Sequence, residues 1–188
     1  MGSTSEIRKG LTIRHNSDIF TIVEFLHVKP GKGPAFVRTK LKSLTTGKVL
    51  DNTYPSGAKI DIVRVERRKY QYLYRESDSY MLMDTETFEQ IPVLAENIPA
   101  AKFIKEGDMV EILFNTADES ILTVDPPATV VLEVTYTEPG IKGDTATNTL
   151  KPATVETGAE IRVPLFINIG DRVKINTEDG SYMERSRA

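Results

Sequence analysis

The sequence predicts an all-β protein made of three small barrel modules. Three observations carry that prediction. Short segments alternating apolar with polar residues recur along the 188 residues, turn-forming clusters separate them, and helical periodicity is almost absent. Strands are expected at 18–28, 35–41, 59–65, 70–76, 79–84, 109–114, 121–124, 129–137, 160–164 and 172–176. Each is rich in β-branched or aromatic residues, which suit a pleated, half-buried surface. Clusters such as Glu76-Ser77-Asp78, Asn115-Thr116-Ala117-Asp118 and Glu178-Asp179-Gly180 supply the turns between them. The best helical segment, 93–97, is long enough for a turn or two only.

An internal repeat divides the chain. Gly107-Asp108-Met109-Val110-Glu111-Ile112 returns as Gly170-Asp171-Arg172-Val173-Lys174-Ile175, and each copy runs on into an Asn-Thr pair, Asn115-Thr116 and Asn176-Thr177. Two similar β-modules in tandem explain this, with Pro126-Pro127 as a stiff joint between them. The expected modules are 1–66, 67–128 and 129–188. Charge follows the same division. Residues 1–66 carry eleven Lys and Arg against six Asp and Glu, residues 67–128 six against twelve, and residues 129–188 seven against nine. A chain of net charge −3 thus contains a basic N-terminal third.

Composition excludes several kinds of chemistry. The chain has no cysteine, so disulfides, iron–sulfur clusters, thiol catalysis and cysteine-bound zinc are ruled out. His15 and His27 are too few and too poorly spaced for a metal site and read as structural histidines. No Gly-x-Ser-x-Gly elbow is present, and Gly31-Lys32 does not complete a phosphate loop, because Gly33 follows the lysine and Leu26 stands where the first glycine belongs. Acidic pairs such as Asp84 with Glu86 and Asp118 with Glu119 read as solvated charges. The expectation is a non-enzyme with no catalytic residue, no cofactor and no metal. No apolar run approaches the ~18 residues of a spanning helix, and the N-terminus has neither the charge nor the apolar core of a secretory signal, so a cytoplasmic location without membrane attachment is expected.

The most distinctive local feature is Lys29-Pro30-Gly31-Lys32-Gly33-Pro34, set between two predicted strands. The prolines restrict φ and the glycines allow turns that other residues resist, so Lys32 stands on a stiff, glycine-hinged tip. A surface hairpin carrying an ordinary lysine fits the loop equally well. In the following strand Arg38, Lys40 and Lys42 alternate with Val37, Thr39 and Leu41 and so share one face, predicted to be cationic and suited to phosphate backbones. Tyr70, Tyr72 and Tyr74 likewise share a face, where core packing is a better use than base stacking because the segment is acidic.

The segment from Lys151 to Gly170 resembles the signature of bacterial elongation factor P. It is met at Lys151, Ala153, Gly158, Ile161, Val163, Pro164, Ile167 and Gly170. The Pro30-Gly31-Lys32-Gly33 loop resembles the functional loop of that family, and the resemblance covers the whole chain. It implies an N-terminal SH3-like barrel of the KOW type followed by two OB-fold barrels, in an elongated L-shaped arrangement. It also implies a translation elongation factor that binds the ribosome between the P and E sites and relieves stalling at consecutive prolines.

Carried over residue by residue, the resemblance makes Lys32 the lysine extended toward the peptidyl-transferase centre, with Pro30, Gly31 and Gly33 as its loop and Pro34 as an additional brace. Whether Lys32 is covalently modified, by what group and by which lysine-modifying enzyme, the sequence leaves open. Gly143-Asp144-Thr145 resembles the loop that meets the E-site codon of the mRNA, and Tyr182 and Arg185 resemble a terminal segment that contacts RNA. The implied partners are both ribosomal subunits, the P-site peptidyl-tRNA and the mRNA, with the protein acting as a monomer. Two alternatives stand beside this reading: an elongation factor P-like paralogue, and a general oligonucleotide binder built of OB modules.

Overall fold

A computed structural model describes residues 1–140 and 149–187, and Gly143-Asp144-Thr145 lies outside them. The described chain is all-β, with sixteen strands and three single-turn 3-10 helices. Six strands form the first sheet: β1 (Gly2–Ser3), β2 (Thr12–His15), β3 (Asp18–Val28), β4 (Phe36–Ser43), β5 (Val49–Pro55) and β6 (Lys59–Ile62), in the order β1-β6-β2-β3-β4-β5. β7 (Val65–Glu76), β8 (Ser79–Asp84), β9 (Gln90–Leu94), β10 (Met109–Asn115) and β11 (Ser120–Asp125) form the second, in the order β11-β10-β7-β8-β9. β12 (Thr129–Thr137), β13 (Leu150–Val155), β14 (Glu160–Pro164), β15 (Arg172–Asn176) and β16 (Tyr182–Ser186) form the third, in the order β14-β13-β12-β15-β16. By compactness the chain groups as residues 1–68 with 112–123, and residues 69–111 with 124–188.

The second and third sheets have the same order once β7 is matched with β12 and β10 with β15. The Gly-Asp repeat shows why. Gly107 and Gly170 both adopt positive φ, +92° and +89°, which glycine alone accepts without strain. Gly107 donates to the Tyr72 carbonyl and Tyr72 donates to that of Asp108, at 2.7 and 2.9 Å. Gly170 and Val134 repeat the exchange at 2.8 Å each, with Asp171 as the acceptor. The carboxylates of Asp108 and Asp171 cap the same turn by accepting from the Lys105 and Asn168 amides. Thr116 and Thr177 then close each module onto the carbonyls of Arg64 and Pro127.

Within the second compact group, Phe103 carries the chain from one repeat into the core of the next. Its ring is only 2% exposed and belongs to the apolar cluster of Val130, Leu132, Val163, Ile167, Val173 and Ile175. Lys102 accepts from the Thr157 hydroxyl at 2.6 Å through its carbonyl, and the Lys105 ammonium reaches Glu156 at 3.3 Å. The turn at Gly180 fits against the ring: a Cβ there would stand 2.9 Å from the Phe103 Cζ.

The first sheet packs around Ile7, Leu11, Ile13, Phe20, Ile22, Val37, Leu41 and Ile60. A two-residue turn, Asn16-Ser17, joins β2 to β3 with positive φ at both positions, the geometry whose twist matches a hairpin. Beside it Asp18 ties β3 to the end of β4, accepting from the Ser43 and Thr45 hydroxyls at 2.7 and 2.8 Å and from the Ile19 amide. The Ser43 hydroxyl above all, then Thr45 and the Ile19 N–H, hold this carboxyl below the usual carboxylate range. A depressed folded pKa stabilises above the unfolded value of about 4 and is lost as pH falls through and below it. Asp18→Asn is therefore expected to be about 1 kcal/mol less stable than the parent at pH 7, with the gap closing at pH 3. Urea unfolding at the two pH values measures it.

Two sequence expectations need correction. Tyr70 and Tyr72 are buried, but the β7–β8 register slips between Tyr72 and Tyr74, and Tyr74 is exposed. A one-residue bulge re-aims the side chains that follow it, so the three tyrosines do not share a face. The acidic pairs are not simply solvated. Asp84 is buried and caps the Glu86 and Thr87 amides, Asp118 caps Ser120, and Glu119 pairs with Arg68 at 2.7 Å.

Candidate functional site: the tip of the β3–β4 hairpin

β3 and β4 pair without interruption from Glu24↔Lys40 to Val28↔Phe36, and residues 29–35 close the hairpin. Pro30, Gly31, Lys32, Gly33 and Pro34 are all exposed. Among the described residues Lys32 has no hydrogen bond or ion pair, so its ammonium and four-carbon stem are free to reach outward. Gly33 adopts a φ of +106°, and a Cβ there would meet the Pro30 Cγ at 3.9 Å, an ordinary van der Waals contact. The constraint there is conformational, since L residues strain in that region. Gly31 has neither a positive φ nor a close neighbour. In this conformation only the second of the two glycines is required.

Below the tip, Val37, Thr39, Leu41 and Ser43 point into the module, and Arg38, Lys40 and Lys42 point out. The outward face is less cationic than the sequence suggests. Lys40 forms an ion pair with Glu24 at 3.2 Å and has Asp51 opposite it on β5. A bulge at Val23 causes this: pairing runs Ile22↔Leu41 and then Glu24↔Lys40, which brings a carboxylate to the lysine. Arg38 lies over the Phe36 ring at 5.5 Å and faces Thr53 and Leu26, so its charge stays available. Glu24 and Asp51 are the neighbours that sequence reasoning missed. The alternation of charges along β4 is visible in one strand, but its cross-strand partners are not.

The other candidate positions among the described residues, Tyr182 and Arg185, lie on the third sheet. Tyr182 packs against the apolar cluster of that module, and burial pushes its hydroxyl pKa up. Arg185 is exposed, 4.0 Å from the Asp171 carboxylate and 5.8 Å from the centre of the Phe166 ring. The histidines serve local packing. His15 hydrogen-bonds Asn16 and Tyr54 and stands edge-on to Phe20, and His27 stands edge-on to Phe25.

The signature residues hold the third module together. Ala153, Ile161, Val163 and Ile167 are buried, and Gly158 and Gly170 adopt positive φ. Lys151 is only 7% exposed and donates to the Glu138 carbonyl at 2.6 Å. Its specificity as a signature therefore comes from packing and turn geometry. No group of three or more His, Asp or Glu able to hold a metal occurs among the described residues. None of their helices is long and apolar enough to cross a membrane.

Comparison with known proteins agrees with this geometry. Three family models match in succession: the elongation factor P KOW-like domain over residues 3–60, the elongation factor P OB domain over 65–124, and the elongation factor P C-terminal domain over 130–185. Proteins named elongation factor P from Christiangramia forsetii and Flavobacterium johnsoniae are each 61% identical over 98% of this chain and 98% of their own length. One from Bacteroides fragilis is 50% identical over the full length of both chains. Among solved structures, the eukaryotic translation initiation factor 5A from Methanococcus jannaschii matches with a TM-score of 0.51 at 20% identity, covering 66% of this chain and 89% of that one. At that identity the likeness concerns the fold. With all three domain types in order and the relatives aligned almost end to end, the chain belongs to the elongation factor P family of translation factors.

Proposed function

We propose that this protein binds the ribosome between the P and E sites and speeds peptide-bond formation at consecutive prolines, with the Lys32 loop positioning the P-site peptidyl-tRNA. The observation that carries the reading is the exposed, unpaired Lys32 on a tip whose geometry is held by Gly33 and the flanking prolines. Proline is a secondary amine with its φ locked by a ring, so its approach to the ester carbon is restricted. Ordering the peptidyl-tRNA restores part of the advantage of proximity, which is worth several kcal/mol of barrier in favourable cases. Such a role needs a reaching group and no catalytic base. Arg38 and Lys42 offer phosphate contacts on the flank of the hairpin, beside Lys40, which shares its exposed face with Glu24 at 3.2 Å.

Lys32 is also the natural acceptor for a covalent extension by a lysine-modifying enzyme, since its amine is exposed and free of partners. Gly143-Asp144-Thr145 is the proposed contact to the E-site codon, and the three modules act as one monomer in the cytoplasm. The test is reconstituted translation of a reporter containing three consecutive prolines. The parent is expected to relieve the stall and Lys32→Ala to lose at least ten-fold of that relief, while both melt at the same temperature because a loop-tip side chain contributes little to stability. Equal relief by the two proteins overturns the role of Lys32.

A further inference from the structure

Pro126-Pro127 has a place in the fold and a chemistry that the proposed function touches directly. Of the ten prolines in the chain these two alone are consecutive. They stand between the end of β11 at Asp125 and the start of β12 at Thr129, outside every strand, so neither ladder calls on an N–H that proline lacks. The Pro127 carbonyl accepts from the Thr177 hydroxyl at 2.6 Å and the Ala128 carbonyl from the Thr177 amide at 3.0 Å. Two fixed φ angles thus set where β12 enters the third sheet, beginning with the pair Thr129↔Asn176. The joint serves the folded protein, and it has to be made as a proline–proline bond.

We propose that the growing chain of this protein is itself a substrate of the protein, at the bond between Pro126 and Pro127. This rests on the reading that it relieves stalling at consecutive prolines. In that step the secondary amine of Pro127, on the incoming tRNA, attacks the ester carbon of Pro126 on the P-site tRNA. The C–N bond forms, the amine gives up its one proton, and the ester oxygen leaves with a proton as a tRNA hydroxyl. Donor and acceptor are both ring-locked here and nowhere else in the chain, since Asp125 and Ala128 relax the constraint on either side. A ribosome waiting at this bond holds β1 to β11 and nothing of the third sheet, because β12 to β16 all follow. Phe103 then has no core to enter, as every other buried residue of its apolar cluster lies between Val130 and Ile175. Each arrested copy lacks a module, and production of complete copies rises with the number already present.

The message encoding this chain is translated in a reconstituted system free of the factor, with and without the purified full-length protein, beside the three-proline reporter. Ribosomes are expected to accumulate with the Pro126 codon in the P site, and the added protein to speed completion of the chain about five-fold. Lys32→Ala protein is expected to leave the arrest in place. A message carrying Pro127→Ala is expected to give complete chains at the same rate with and without the protein. Length is read on a denaturing gel, so folding of the product does not enter. If the reporter is relieved but the parent message shows no arrest at Pro126, or one that the protein does not relieve, the chain is not its own substrate and the stall-relief reading stands. Arrest that persists in the Pro127→Ala message places the cause outside the proline pair and also overturns the inference. If the protein changes neither the reporter nor the arrest, the stall-relief reading fails and this inference with it.

Discussion

Phe103→Ala is expected to destabilise the compact group of residues 69–111 and 124–188 by about 3–5 kcal/mol, the range for truncating a buried phenylalanine. The ring fills the third-sheet core with side chains from every strand around it, so the space it leaves cannot readily collapse. Gly180 offers an independent check. Its φ of +72° and the 2.9 Å approach to the ring give Gly180→Ala two costs, backbone strain and a clash. In the Phe103→Ala background the clash is relieved and only the strain of roughly 1 kcal/mol remains. In urea unfolding the double mutant should therefore be destabilised by less than the sum of the two single variants, by more than about 0.5 kcal/mol. Strict additivity of the two substitutions would mean that the ring and the turn do not touch.

Gly33→Ala is expected to impair relief of the proline stall far more than Gly31→Ala. The two glycines flank Lys32 symmetrically in sequence, but only Gly33 adopts the left-handed region, at a φ of +106°. An alanine there shifts the backbone to an allowed φ and swings the lysine away from its aim. Misplacement of a positioning group by about 1 Å can cost on the order of a hundred-fold in rate. Gly31 has open space and an ordinary φ, so alanine should fit and leave activity within about two-fold. Reporter translation with the two variants at equal concentration measures the difference. Equal losses at both positions would show that the loop works through flexibility on both sides of Lys32.

Much of the fold was legible because the strands that face a core on one side alternate visibly. β8 and β12 coincide with their expected ranges, as do β14 and β15. The strands that escaped notice are mostly of another kind. β5, β9 and β16 lie at sheet edges and bury little, with Val93 the one buried residue among them and Tyr54 and Tyr182 partly buried, so their apolar alternation is weak. β13 was hidden by Pro152, whose ring lacks the ladder N–H but whose carbonyl still accepts from the Thr137 hydroxyl. β2 was marked only by the Asn16-Ser17 turn, a weaker cue than Asn-Gly.

The same division holds at the site. Chain-local chemistry is written in the sequence: a lysine between two glycines and two prolines, the Gly-Asp repeat and the eight signature positions all act through backbone conformation or nearest-neighbour packing. What tertiary structure alone decided depends on register between distant strands. The bulge at Val23 set Glu24 against Lys40 and placed a carboxylate beside one cation of the expected strip, and the bulge beyond Tyr72 turned Tyr74 outward. The repeated Phe-Ile pair likewise became two different objects, Phe103 buried in the third-sheet core and Phe166 exposed. A residue's type and spacing state what it can do, and the neighbour that folding brings to it determines which of those things it does.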